Sequence, residues 1–345
     1  MTISSSGEPV TAISNNDAYM RVFSGIQPSG DPTFGNYSGG FRQYAATQEE
    51  GESFFCIVDL HAITVDYGPA DLHERTLDLA ALLYATGLDP ERSTVFAQSH
   101  VTAHAEASWL LSAVTSYGQL GRMTQFKEKS GKQEFISAAL FSYPVLMAGD
   151  ILLYRADRVP IGDDQRQHLE LSRDIAERFN ARFGELFVVP EGIYPTIGAR
   201  IMDLQDPLGK MGKTGSSEQG TIRMLDGPDA IRRKLKTAVT DSGSEVRRAD
   251  DKPGVTNLID IYSVATGESP GEIESRYDGS GYGQFKTDVA EAVVALLEPI
   301  QRRYHELRAD EPELGRLLAH GAEKARAVSG PVLAEMYERM GFVRP

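Results

Sequence analysis

Short strand-length runs alternate with longer stretches whose apolar positions recur at helical spacing. "MRVFSGI" (20–26) is a β-type run that opens into a glycine-rich loop over 28–40, with a helix following through Arg42 and Gln48. "SFFCIVDL" (53–60) is apolar almost throughout, the pattern of a parallel strand buried on both faces. "PADLHERTLDLAALLYATG" (69–87) carries apolar residues at helical spacing, with Pro69 at its start and Gly87 at its end. "STVFAQS" (93–99) and "DRVPIG" (157–162) read as further strands, separated by helices over 103–155. A helix over 163–182 and the apolar run "LFVVPE" (186–191) complete this half.

Strand, helix, strand, helix predicts an α/β fold, a doubly wound parallel sheet covered on both faces. Ligands in such sheets bind at the carboxyl ends of the strands, and the loops 24–36 and 59–66 leave strands at those ends. The Gly-, Ser- and Lys-rich segment 205–221 reads as a mobile loop. From about 226 the pattern is helical to the end. The expected domains are therefore a flexible extension over 1–18, an α/β part over 19–225 and an all-helical part over 226–345.

Composition narrows the class. The 345 residues, 41% hydrophobic and 24% charged, are enough to bury a sizeable core. Cys56 is the only cysteine, which rules out an intrachain disulfide and a CxxC metal site. No apolar run approaches a membrane span, the N-terminus lacks a signal pattern, and the chain reads as cytosolic. The net charge of −14 argues against non-specific nucleic-acid binding, though not against a local basic face.

Two segments carry candidate phosphate chemistry. "PLGKMGKT" (207–214) is one position away from a P-loop, with Pro207 where the first glycine belongs. Pro207 fixes φ and offers no N–H, and "GSSEQ" rather than a helix follows, so the P-loop reading fails. "FSGIQPSGDPTFGNYSGGFRQ" (23–43) is a second glycine-rich loop, and it places Thr33-Phe34-Gly35-Asn36 at a helix start, where free N–H groups favour an anion.

Taken together, these segments resemble the signature pair of class I aminoacyl-tRNA synthetases. Thr33-Phe34-Gly35-Asn36 is similar to the "HIGH" motif, and Lys210-Met211-Gly212-Lys213-Thr214 to "KMSKS". With "FCIVDLHAIT" (55–64), "RMTQFKEKS" (122–130), "LMAGDILLYRADRVPIGDDQRQHLELSRDIAERFN" (146–180) and "KPGVTNLIDIYS" (252–263), the chain from about residue 20 onward resembles the bacterial tryptophanyl-tRNA synthetases.

The resemblance implies a Rossmann-like catalytic domain and ATP-dependent formation of tryptophanyl-adenylate, followed by transfer to tRNA(Trp). ATP is expected with Mg2+, with no dedicated metal cage. Lys210, Lys213, Thr33 and Asn36 are the implied catalytic residues. Gln27, Gly35, Asn36, Asp164, Met211, Lys210 and Lys213 are implied for the nucleotide, with Lys129 a further candidate for the pyrophosphate. Asp150 is implied for the indole nitrogen, Tyr143 and Gln165 for the ammonium, and Met147, Phe23 and His61 for the pocket wall. His168 reads as an ordinary helix residue. The resemblance also implies a cytoplasmic homodimer; the sequence itself marks no clear interface, and the helices of 103–140 are taken as the candidate. The C-terminal helices are implied for the anticodon, and "IRRKLKTAV" (231–239) is a candidate basic face.

The spacing fits the pocket that the resemblance implies, while by spacing alone Asp150 reads equally as an acid near the surface, facing a salt-bridge partner or a helix end. Tyr143, Met147 and Asp150 fall at i, i+4 and i+7 of an otherwise apolar helical stretch, so they share a face. Indole has one N–H donor and a broad apolar surface, and a carboxylate supplies the acceptor. Gly212 and Thr214 stand where the family pattern has Ser, and Leu60 where Gln is expected. Two other readings compete. One is a tyrosyl-tRNA synthetase, which shares the architecture. The other is a non-catalytic paralogue that binds tRNA or protein.

Overall fold

The central strands form where side chains can be buried on both faces. In β1 (Arg21–Ile26), β2 (Glu52–Ile57) and β3 (Ser93–Ala97), nearly every residue is buried. The computed structural model describes residues 20–49, 51–131, 135–162, 165–193, 200–212 and 217–343. The extension 1–18 and the site candidates Asp164, Lys213 and Thr214 lie outside the described residues, as does the side chain of Lys129.

The first loop leads into α1 (Phe34–Asn36), at the helix start expected over 33–36, then a π-turn (Tyr37–Phe41) and α2 (Arg42–Thr47), so helical structure already occupies the end of the 28–40 loop. Two helices lie between β2 and β3: α3 (Asp59–Ala62) and α4 (Pro69–Ala85). After β3 come α5 (Ala103–Ser112), α6 (Tyr117–Arg122), α7 (Thr124–Ser130) and α8 (Ala138–Leu152). Two short strands, β4 (Arg158–Pro160) and β5 (Glu191–Ile193), flank α9 (Arg166–Phe183). Among the described residues the strands of the sheet all pair in parallel, in the order β3-β2-β1-β4-β5. The order reverses at β1, between β2 and β4, and this switch point is where a doubly wound sheet opens a crevice at its carboxyl edge.

The run 186–190 is not a strand, and the physical reason is Asn180. Its Oδ1 accepts from the backbone N–H of Leu186 (3.0 Å) and Phe187 (2.9 Å), and its Nδ2 donates to Phe187 O (2.8 Å). A side chain satisfies that backbone in place of a ladder. Leu186 and Phe187 pack into the core, and the strand starts only at Glu191.

The C-terminal helices are α10 (Pro228–Lys236), α11 (Pro253–Thr266), α12 (Pro270–Arg276), α13 (Tyr282–Ala309) and α14 (Glu311–Arg339). Apolar packing runs across position 225/226: Leu79, Leu82 and Leu83 of α4 share a cluster with Leu258, Val293, Leu297 and Ile300. The helix α14 crosses the edge strand β3 so closely that a Cβ at Gly321 would lie 1.8 Å from the Val95 carbonyl oxygen. Backbone meets backbone there, and glycine is the residue that permits it.

Candidate active site

A cavity of about 320 Å³ opens at the carboxyl ends of β1, β2 and β4. Its walls include Phe23, Gln27, His61, Tyr143, Met147, Asp150 and Gln165. The structure thus gathers on one cavity residues drawn from β1, the first loop, α3, α8 and the head of α9. The spacing within α8 does what helical geometry requires: Tyr143, Met147 and Asp150 face the same space.

His61 is set by the turn that follows β2. Asp59 accepts from both the backbone N–H (2.9 Å) and the hydroxyl of Ser99, and the Leu60 N–H donates to Gln98 Oε1 (3.2 Å). These bonds tie the ends of β2 and β3 together and turn the imidazole toward α8.

Asp150 is buried and ionised. His61 Nε2 lies 2.9 Å from its Oδ2; Gln98 Nε2 donates to Oδ1 at 2.6 Å, and His104 Nδ1 lies 2.7 Å from the same oxygen. Burial raises the pKa of such a carboxyl, but hydrogen bonds from His104 and His61 outweigh it and hold the group down at about 2. Sequence reading identified Asp150 and His61 but missed Gln98 and His104. Both lie in segments whose local pattern is ordinary, and only the fold brings them to Asp150.

Tyr143 is also held. Its hydroxyl lies 2.6 Å from His168 Nε2 and donates to Gln125 Oε1 at 3.3 Å. Burial pushes its pKa up to about 12, so it stays a neutral donor. His168 is therefore no ordinary helix residue. It is 1% exposed and anchors Tyr143, which corrects the sequence reading.

The described parts of the two signature segments meet each other, and neither Thr33, Asn36, Lys210 nor Met211 lines this cavity. Thr33 caps α1 in a reciprocal box: Thr33 N donates to Asn36 Oδ1 (2.9 Å) and Asn36 N to Thr33 Oγ1 (3.3 Å). Thr33 is buried, with its oxygen spent on the cap. The next residues are clamped to the chain beyond the lysine segment by Phe34 N to Ile222 O (2.8 Å) and Met224 N to Pro32 O (2.9 Å). Met211 is fully buried, its N–H bonded to Ile201 O (3.0 Å), and a Cβ at Gly35 would stand 3.0 Å from its carbonyl oxygen. Gly35 thus lets the first loop rest on the root of the lysine segment. Lys210 is exposed on that root. The segment's far side is tied down by Lys234, which is buried and bonded to Asp226 (2.8 Å) and Glu218 (3.0 Å).

The same contacts weaken the proposed basic face at 231–239. Lys234 points inward, and Arg232 is paired with Glu291 (2.8 Å) and Asp229 (3.3 Å). Arg232, Arg233 and Lys236 are its exposed cations, Arg232 being ion-paired.

The family model for class I tRNA synthetases (W and Y) matches residues 15–298. A tryptophan–tRNA ligase of Caldanaerobacter subterraneus subsp. tengcongensis is 51% identical over 324 residues, covering 94% of this chain and 98% of that protein. One from Enterococcus faecalis is 52% identical over 330 residues, with coverages of 94% and 98%. Among solved structures, the tryptophanyl-tRNA synthetase of Mycoplasma pneumoniae superposes with a TM-score of 0.86 at 35% identity, covering 94% of this chain and 98% of that one. The Campylobacter jejuni tryptophanyl-tRNA synthetase, complexed with ADP and tryptophan, gives 0.81 at 35% identity, with coverages of 94% and 100%.

Proposed function

We propose a reaction for this chain, which belongs to the class I tRNA synthetases of the tryptophan and tyrosine group. It activates L-tryptophan with ATP and charges tRNA(Trp). The tryptophan carboxylate attacks the α-phosphorus of ATP, pyrophosphate leaves, and tryptophanyl-adenylate forms. A hydroxyl of the terminal tRNA ribose then takes the acyl group, and AMP leaves. Chemistry of this kind needs positioning and charge stabilisation rather than a covalent catalyst.

The observation that carries the choice of amino acid is Asp150, an ionised acceptor in the wall of an otherwise largely apolar cavity of about 320 Å³. Its role is to accept the indole N–H. A buried acceptor left unpaired by a phenyl ring is the means of rejecting the wrong substrate. Phe23, Met147 and His61 pack on the ring, while Tyr143 and Gln165 hold the ammonium.

Lys210 and Lys213 supply positive charge to the triphosphate and to the departing pyrophosphate. Gln27, Gly35, Asn36 and Asp164 shape the nucleotide site. Thr33 and Met211 have supporting parts in this reading: Thr33 acts through Asn36, to which it is bonded, and Met211 underlies Gly35. Mg2+ would be carried in with ATP and would offset the negative charge of its phosphates. The hydrogen bonds that already occupy His61, His104 and Asp150 suit an ion carried in by the nucleotide better than a resident one.

The chain works in the cytoplasm as a homodimer, through the face of α5 to α8, where Trp109 and Tyr117 are each 80% exposed. No described helix is long and apolar enough to cross a membrane. The test of the whole reading is acylation of a tRNA(Trp) transcript. Labelled tryptophan should be incorporated and labelled tyrosine should not. Incorporation of tyrosine alone would overturn it.

A further inference from the structure

Behind Asp150 runs a buried chain of hydrogen bonds that reaches the core. His104 is fully buried, with Nδ1 2.7 Å from Asp150 Oδ1 and Nε2 2.9 Å from the Tyr154 hydroxyl. Tyr154 is also fully buried and is locked among aromatic rings, with centroids 4.6 Å from Phe54 and 5.2 Å from Phe23. Burial pushes its hydroxyl well above the usual tyrosine range, so it stays protonated. An ionised Asp150 can only accept. His104 therefore donates from Nδ1 to Oδ1, while its Nε2 is held in hydrogen-bond contact with the Tyr154 hydroxyl.

The partners of Asp150 divide by side. Gln98 and His104, both on Oδ1, do not line the cavity, whereas His61, on Oδ2, does. Gln98 is itself held by the Leu60 N–H at its own oxygen, which fixes its amide as the donor to Asp150. The inner edge of the carboxylate is filled from behind, and the outer edge faces the cavity with acceptor capacity left beside His61.

We infer that His104 is a specificity-determining positioning residue: braced by Tyr154, it fixes the Asp150 carboxylate so that Oδ2 is offered to the substrate ring nitrogen. The inference rests on the reading of Asp150 as the indole acceptor. A carboxylate free to rotate could satisfy itself on Gln98 and His61 and present no defined acceptor. The pocket would then bind a ring without an N–H almost as well as indole. A merely structural histidine would alter stability but not that preference.

The test compares tryptophan with its isostere β-(benzothiophen-3-yl)alanine, in which sulfur replaces the ring N–H, by ATP–pyrophosphate exchange. The variants are His104→Leu, His104→Asn and Tyr154→Phe. Asn can place an amide donor near the position of Nδ1. His104→Leu is expected to raise the tryptophan KM about tenfold, the scale of one charged hydrogen bond, with the KM for ATP unchanged. The preference for tryptophan over the isostere should shrink with it. His104→Asn should restore most of that preference. Tyr154→Phe should weaken it less, and should add nothing in the His104→Leu background, since the two act along one chain.

A wild-type preference that survives intact in His104→Leu overturns the inference alone. A wild-type enzyme that does not distinguish the two substrates overturns the Asp150 reading, and this inference with it. If His104→Leu does not fold, the same ratio in His104→Asn and Tyr154→Phe decides: an unchanged ratio in Tyr154→Phe counts against the brace.

Discussion

Replacing Asp150 by asparagine should remove tryptophan selectivity while leaving the fold largely intact. Oδ1 receives two donors, Gln98 and His104, and Oδ2 receives one, His61. An amide will therefore keep its oxygen at the inner position and turn its NH2 toward His61 and the cavity. His61 can accept from that NH2 by changing tautomer. The cavity then presents a donor where the indole N–H needs an acceptor. A lost hydrogen bond to a charged group is worth about 1.5–3 kcal/mol. At about 1.4 kcal/mol per factor of ten, Asp150→Asn should lower kcat/KM for tryptophan roughly 10- to 150-fold. The benzothiophene isostere, having no N–H to lose, should change much less. Exchange kinetics with both amino acids, beside the thermal midpoint of the ligand-free variant, make the measurement. A folded Asp150→Asn enzyme with wild-type kcat/KM for tryptophan would refute the assignment.

The depressed pKa of Asp150 has a consequence for stability against acid. A carboxyl at about 2 in the fold against an ordinary 3.8 contributes stability that is present above 3.8 and lost as pH falls through that range toward 2. The difference is about 2 kcal/mol, so denaturant unfolding of wild type and Asp150→Asn should converge by about that amount over this window; parallel curves would contradict it. Gly321→Ala should destabilise by more than about 3 kcal/mol, because a Cβ 1.8 Å from Val95 O forces α14 off β3. A melting temperature within a degree or so of wild type would show that the helix adjusts without loss. The proposed homodimer should give way to monomer in Trp109→Glu by sedimentation analysis, given the exposed indole of Trp109 on α5. A variant that stays dimeric would move the interface elsewhere.

The sheet was legible because its central strands are buried on both faces, so "SFFCIVDL" and "STVFAQS" announce themselves without alternation. The last strand was not, because the apolar signal at 186–190 belongs to packing beneath α9 while Asn180 satisfies its backbone. In the site, helical periodicity placed Tyr143, Met147 and Asp150 on one face, and the fold turns that face to the cavity. Gln98, His104, Tyr154 and His168 carried no local signal. Their meaning comes from distances across 25 to 52 positions of chain, which only the tertiary fold sets. The "HIGH"-like and lysine motifs were visible as motifs. That Thr33 and Met211 face inward could not be read from spacing, because caps and core contacts use the same residue types as ligand contacts.

The most direct test of the account is ATP–pyrophosphate exchange by the full chain with tryptophan, with tyrosine and with no amino acid. The account predicts exchange with tryptophan alone, and a loss of that exchange in Asp150→Asn of the size worked out above. Exchange driven by tyrosine instead would keep the fold and contradict the pocket. No exchange with either amino acid, from folded protein, would contradict catalysis itself and leave a tRNA- or protein-binding paralogue, with Gly212 and Thr214 as the first positions to restore to serine.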